Sequence, residues 1–360
     1  MSRLARLVWL YTLLALTSPA TAETLLVVAK SSDALHFVDP GSGLHLASAA
    51  VGHSPHEVSR SPDGRLAAVT NYGTQADPGS SVSIVDLETA RELRRIDLGE
   101  HMRPHGVAWF ARERIAVTTQ GSRHLLLLDP SAGRIVTAIG TDQEGSHLVA
   151  IAPGAARAFV ANTGSGSTTA IDLANGRKLS DVATGKGSEA IAITPDGREV
   201  WVAARDTGAI TVFDARTLEI SARLSLAGAP IRIAFSPDGA TALVSCAASS
   251  EVVAFDVRAR REITRRRIDV EVPESARSRP SVSFAPGSVL PVGLVVSPDG
   301  ASVFVAATMA DKVVQLSVPG LEVLRVFEVT GEPDGMALTP VMPKAECHAC
   351  EAPAESPDRD

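Results

Sequence analysis

The sequence predicts an all-β protein, a seven-bladed β-propeller of four-stranded antiparallel blades. Three observations carry this reading. Hydrophobic runs closing in Asp recur along the chain: HFVD to Asp39, SIVD to Asp86, LLLD to Asp129, TAID to Asp172, TVFD to Asp214 and VAFD to Asp256, with VVQLS placing Ser317 in the seventh such position. Their successive spacings of 47, 43, 43, 42, 42 and 61 residues each hold four strands of about five or six residues and their turns. The composition agrees, since aromatics are only 4% while 28 Gly and 22 Pro accompany short runs of Val, Ile, Thr and Ala, a mixture that favours short strands and tight turns. With 45% hydrophobic and 21% charged residues, disorder, collagen and coiled coil are excluded as the main architecture.

The elements follow in chain order. Residues 1–22 read as a secretory signal, with Arg3 and Arg6 before an apolar stretch from Leu7 to Leu16 and Ala20-Thr21-Ala22 ahead of a cut at Glu23. So short an apolar stretch does not cross a hydrocarbon core of about 30 Å as a helix, so the expected location is periplasmic or secreted, with no membrane span. The chain carries a formal charge of −7 and loses two arginines with the signal; neither nucleic acid nor an anionic membrane is an expected partner. Residues 23–340 are expected to form the propeller and 341–360 a flexible C-terminal tail.

Each unit repeats one internal order, shown by Gly228-Ala229-Pro230, the strand IRIAF, the turn SPDG, and the strands TALVS, EVVAFDV and EITRRRIDV. SPDG stands at 61–64, 236–239 and 297–300, with Thr194 to Gly197 a close variant. Pro presets φ and Gly supplies positive φ for a hairpin turn, whereas a Ca²⁺ loop would need more closely spaced acids. The strand Thr24 to Ala29 fills a second-strand place with no first strand before it, and Gly331 to Thr339 is a first strand with no unit after it; the two are expected to pair and close the ring. An insertion at about 273–290 enters the seventh unit and is expected over the channel mouth, as a lid or as a tolerated surface excursion. The run from Arg258 to Arg267 has six arginines and is read as an outermost strand whose charges block strand addition.

The second strands FVANT (159–163), AVTNY (68–72), WVAAR (201–205) and FVAAT (304–308), the Pro-x-Gly segments at Pro104, Pro291 and Pro333, and the SPDG turns together resemble the YVTN-repeat, YncE-like family of exported bacterial seven-bladed propellers. The resemblance spans roughly residues 24–340. Only Asn71 and Asn162 keep the Asn of the repeat; Thr119, Ala204, Cys246 and Ala307 replace it elsewhere. No Trp-Asp dipeptide closes a unit, which disfavours the WD40 family. The resemblance implies fold and export more than chemistry. Relatives associated with quinone-dependent alcohol oxidation are similar in an extended segment before a Pro-Val-Gly like Pro291 to Gly293, which implies an accessory role in a periplasmic redox pathway.

Propeller geometry places the loops into each first strand around one end of the channel. Read in register, the rim residues are His56, His105, His147, Glu189, Ile231, Val292 and Asp334. Imidazoles from successive blades suit Zn²⁺ or Cu²⁺, so His56, His105 and His147 are the expected metal ligands, with His53 and His101 as further candidates; alternatively each His caps its own blade. Asn71, Tyr72, Asn162, Arg205, Arg232 and Asp334 are the expected ligand-binding residues, either Arg being suited to a carboxylate or phosphate. Asp206, Asp311 and Lys312 lie on the same face. Cys246 reads as a small buried residue. In the tail, Cys347-His348-Ala349-Cys350 is followed by Glu351 rather than His, so covalent haem is not expected and a disulfide is favoured over metal capture. No nucleophile elbow, phosphate loop or zincin motif occurs. The expected function is an exported scaffold binding a ligand, metal or protein partner at the channel mouth. The alternatives are a metal-assisted hydrolase, lactonase or lyase with Glu189 as base, and the redox accessory role.

Overall fold

The computed structural model describes residues 23–279 and 285–344. They form seven four-stranded antiparallel sheets, the blades of a propeller. Blade one runs Pro333–Thr339, Thr24–Ala29, Ala34–Val38, His45–Ala50 from the channel outward. The first strands of blades two to seven are Pro55–Arg60, Pro104–Ala111, Ser146–Ile151, Ser188–Ile193, Pro230–Phe235 and Pro291–Val296, and neighbouring first strands pack on one another around the axis. The ring closes as anticipated, with Thr24 opposite Thr339, Leu25 opposite Leu338 and Leu26 opposite Ala337. No helix among the described residues is long and apolar enough to cross a membrane.

The repeated residues are those that bend the chain. Each anchor Asp ends a third strand and accepts backbone N–H groups of the turn that follows: Asp129 from Ser131 and Ala132 at 3.0 and 2.8 Å, and Asp214 from Arg216 and Thr217 at 2.8 and 2.7 Å. Ser317 does the same with its hydroxyl, taking the Glu322 N–H at 3.0 Å. In the SPDG turns the Ser hydroxyl donates to the Asp carboxylate, at 2.6 Å for Ser61 to Asp63, and Asp63 accepts the N–H of Arg65. Such local bonds satisfy turn backbone that the ladders leave open.

Second strands are buried on both faces, as in Thr24–Ala29 and Ser302–Ala307, because each lies between two strands of its own blade and two flanking blades. Trp201 fills one of these inter-blade layers, with Ile210, Val212, Val244 and Phe255. Outer strands are mostly exposed. Arg261–Arg267 is one of them, in keeping with a charged blade edge.

Asn71 and Asn162 are used in building blades. Asn71 donates to Ser81 and Ser83, both at 3.0 Å, and accepts the Gly52 N–H at 3.0 Å. Asn162 donates to Ser167 and Thr169 at 3.2 and 2.9 Å and accepts from Ser146 at 3.1 Å. Expected from the sequence to contact a ligand, both point into their own blades instead, since a buried amide must satisfy its donors and acceptor locally. Replacing Asn162 by Ala is expected to lower stability by about 1–3 kcal/mol, read as a lower urea midpoint at unchanged slope; an unchanged midpoint would show that these bonds contribute nothing.

The described parts of the insertion are docked on blades six and seven. Ala276, Ala285 and Leu290 share a small core with Ile231, Ala247 and Met309, and Arg279 grips Asp311 at 3.1 and 2.5 Å. The expected signal segment, residues 280–284 of the insertion, and Cys347 and Cys350 lie outside the described residues.

Candidate functional site

The rim is set by contacts between blades. A hydroxyl on or just after the second strand of one blade donates to the backbone leading into the next: Thr70 to the His105 carbonyl at 2.8 Å, Thr118 to that of His147, Ser245 to that of Val292 at 3.1 Å, and Thr308 to that of Pro333 at 2.6 Å. The Pro-x-Gly segments exist for the same closeness. A Cβ on Gly106 would lie 2.7 Å from the His147 carbonyl oxygen, and one on Gly335 would lie 2.6 Å from that of His56. Only Gly lets adjacent first strands approach so near the axis.

All seven rim residues consequently line one hollow of about 250 Å³ at the channel mouth, together with Lys30, Tyr72, Gln120, Arg205 and Arg232. A wider hollow of about 570 Å³ shares Lys30 and His56 with it and adds Asp33, His53 and Glu332. The imidazoles stack along the rim. Ring centroids are 4.9 Å apart for His56 and His105 and 3.7 Å for His105 and His147, and Tyr72 lies 4.6 Å from His56. The Tyr72 hydroxyl donates to Gln120 at 3.0 Å. Burial, reinforced by Lys30 for His56 and by His147 for His105, holds both imidazoles well below their ordinary pKa, so both are neutral at pH 7.

Carboxyls surround this stack. Arg205 contacts Glu189, with its Nε 3.3 Å from Asp206, and His147 Nε2 lies 3.5 Å from Glu189. Arg232 contacts Glu57 and stands 3.9 Å from Asp334, whose other oxygen is 3.3 Å from His56 Nδ1. Lys30 faces Glu332 at 4.0 Å. Burial works to raise the Glu189 pKa, but His147 and Arg205 outweigh it and keep the carboxyl below its ordinary value. Burial pushes Glu57 up to about 7 against the pull of Arg232, and Asp334 is raised likewise. Two buried polar atoms of the site, His105 Nδ1 and Asp334 Oδ1, have no hydrogen-bond partner among the described residues.

Of the residues singled out from sequence, His56, His105, His147, Tyr72, Glu189, Arg205, Arg232 and Asp334 meet at this mouth. His53 lies on the wider hollow beside Asp33, 3.2 Å away, and His101 packs edge-on against His124 away from the stack. Glu57, Lys30, Gln120 and Glu332 were missed as site residues. Their only signal was adjacency: Glu57 follows His56, and Lys30 follows the closing strand.

The family model of the cytochrome D1 haem domain matches residues 109–271, less than half of the chain, from blade three to blade six. Among solved structures, hydrazine synthase of Kuenenia stuttgartiensis is similar with a TM-score of 0.67 and 20% identity, over 83% of this chain and 93% of that one. At that identity the likeness is one of fold. No curated protein matches the chain. These comparisons return the seven-bladed architecture but not the YVTN-repeat family in particular. They also overturn the cofactor expectation of zinc or copper with no covalent haem, since the family that matches is a haem domain. The geometry concurs on the ions: the imidazoles lie ring against ring, and among the described residues no group of three or more His, Cys, Asp or Glu is placed to hold a metal.

Proposed function

We propose that this chain is an exported YVTN-type propeller that binds a small molecule at its channel mouth, in a redox-associated setting. The observation that carries the reading is the convergence of one residue from each of seven blades on a single hollow, with two buried polar atoms in it left unpartnered. Buried polar atoms are satisfied in nearly all native sites, so an unpartnered pair at a cavity wall marks where a ligand supplies the missing bonds. Likeness to the cytochrome D1 haem domain supports the redox-associated setting, and residues 1–22 support export.

A haem does not fit this mouth as built. The unpartnered nitrogen of His105 is a donor of the right kind, but its ring is wedged between those of His56 and His147. The hollow of about 250 Å³ is below the roughly 300–1,000 Å³ of sites for drug-sized ligands. The wider hollow has the volume, yet among the described residues that line it Lys30 is the one permanent cation, 4.0 Å from Glu332 and sharing the lining with Asp33, a poor seat for a group carrying carboxylates. A hydrolytic role for Glu189 is unsupported too, because Arg205 and His147 hold that carboxylate ionised and paired.

A thermal-shift panel of short amines, short carboxylates, planar aromatic acids and ferric haem b tests the reading. At a concentration a hundred times its Kd, a true ligand adds about 2.7 kcal/mol of stability, and that gain should disappear in a His105→Ala, Tyr72→Ala double variant. A panel in which nothing stabilises the protein, or in which the double variant responds like the parent, would sink the proposal; a response to haem alone would restore the haem reading.

A further inference from the structure

Three permanent cations line the narrow hollow, Lys30, Arg205 and Arg232, against two carboxyls, Glu189 and Asp334. Glu57, Asp206 and Glu332 contact those cations from outside this lining. Arg232 is itself buried, 9% exposed. Of its five N–H groups, one donates to the Ile231 carbonyl at 3.2 Å and one to Glu57; the others make no hydrogen bond among the described residues. Lys30 and Arg232 both act on the His56 and His105 rings, which places these two cations around one spot. His105 is 4% exposed and its Nδ1 is unpartnered; a neutral ring can carry its proton there and donate. One acceptor is open as well. Arg232, 3.9 Å from Asp334 Oδ1, balances that carboxyl's charge but lies beyond hydrogen-bond reach.

We propose that the narrow hollow seats a short hydroxycarboxylate, its carboxylate taken by Arg232 and His105 and its hydroxyl donating to Asp334 Oδ1. This deepens the reading of the mouth as a small-molecule site and rests on it. A carboxylate accepts through two oxygens, and a guanidinium with N–H groups to spare meets it with charge-assisted bonds. Three cations against two carboxyls leave the lining one positive charge, which a monoanion matches. A second negative charge on the ligand would face Glu189 and Asp334 without compensation, and an ammonium would meet cations already in excess. The hydroxyl answers the other open atom, because a bare carboxylate would leave Asp334 Oδ1 buried without a donor. The volume of about 250 Å³ admits a few heavy atoms and excludes a tetrapyrrole.

Isothermal titration of the full chain at about pH 7 and low ionic strength, with sodium glycolate, sodium acetate and methylammonium chloride as probes, decides the matter. Glycolate should bind saturably with one site per chain, acetate at least about tenfold more weakly, the scale of one hydrogen bond to a charged group, and methylammonium not at all. His105→Phe keeps a ring in the stack and removes the donor, while Arg232→Lys keeps a cation beside Glu57 and removes the planar fork. Each should weaken glycolate and acetate alike by about tenfold. Asp334→Ala should instead close the gap between glycolate and acetate. Circular dichroism spectra should be unchanged in all three variants. If Asp334→Ala does not fold, the preference of the parent for glycolate and its lost affinity in His105→Phe carry the test. No glycolate binding, glycolate no tighter than acetate, saturable methylammonium binding, or glycolate binding that survives both His105→Phe and Arg232→Lys would overturn the assignment. A panel ligand of another class that the His105→Ala, Tyr72→Ala double variant abolishes, with glycolate inert, would leave the mouth a small-molecule site and remove only this inference.

Discussion

A chain truncated after Val329 is expected to lose cooperative folding, because it lacks the strand Pro333–Thr339 that supplies the channel-facing edge of blade one. Without it Thr24–Ala29, now buried on both faces, becomes an open edge ready to pair with another chain. Met336 and Leu338, both buried, each contribute about 1.5–3 kcal/mol, and each ladder hydrogen bond with Thr24–Ala29 about 1 kcal/mol. The loss is comparable with the whole stability of a typical domain, about 5–15 kcal/mol. Gel filtration and urea unfolding would show aggregation or a broad, shallow transition. A synthetic peptide of residues 331–344 should restore the sharp transition by adding its strand in trans. A truncated chain that stays monomeric and unfolds as sharply as the parent would show that this strand does not hold the ring shut.

Closure of this kind was legible because the blade signals are local. The anchor Asp accepts N–H groups two and three residues onward, and the Ser of SPDG bonds the Asp two residues on, so each signal sits inside one turn and repeats with every blade. The rim was legible for a related reason: the entry Pro, or Ser146 and Ser188 in its place, marks where first strands crowd the axis, so counting one place past it found residues from all seven blades. Which way those side chains would turn was another matter. Asn71 looked like a ligand contact because it is polar and ends a second strand, yet its partners, Gly52, Ser81 and Ser83, lie on strands and turns whose facing depends on the twist of the blade. The three histidines suggested a metal because they share a register position; their rings lie tilted against one another, at 51° and 31°, an orientation no spacing encodes.

The charge pairing was least legible of all. Arg232 and Glu57 are 175 positions apart, and they meet because blades two and six both reach the channel. Glu189 drew attention as a base for its place in the register, while Glu57, one position off that register, is the carboxyl whose proton is poised near neutrality.

Substituting Arg232 by Met tests that pairing most severely. Removing the guanidinium leaves Glu57 without its ion-pair partner in a buried site where Lys30 still acts on Asp334, and a buried charge stripped of its partner in this way costs about 3–5 kcal/mol. The penalty must depend on pH in a definite sense. Glu57 already has a folded-state pKa raised from 4.5 to about 7, and loss of Arg232, which pulls it down, raises it further. A carboxyl raised on folding favours the folded state below its unfolded pKa, and that contribution disappears as pH climbs through the folded value. The deficit of Arg232→Met relative to the parent should therefore be small near pH 4.5, where protons neutralise the pair, and should grow steadily through pH 7 and beyond. Urea midpoints at a series of pH values would show it. Adding Glu57→Gln to Arg232→Met should recover most of the loss at pH 8, since the second change removes the charge the first one stranded. A deficit that is flat with pH, or a double variant no more stable than Arg232→Met alone, would mean that Arg232 stabilises the mouth by packing and not by holding these two carboxyls.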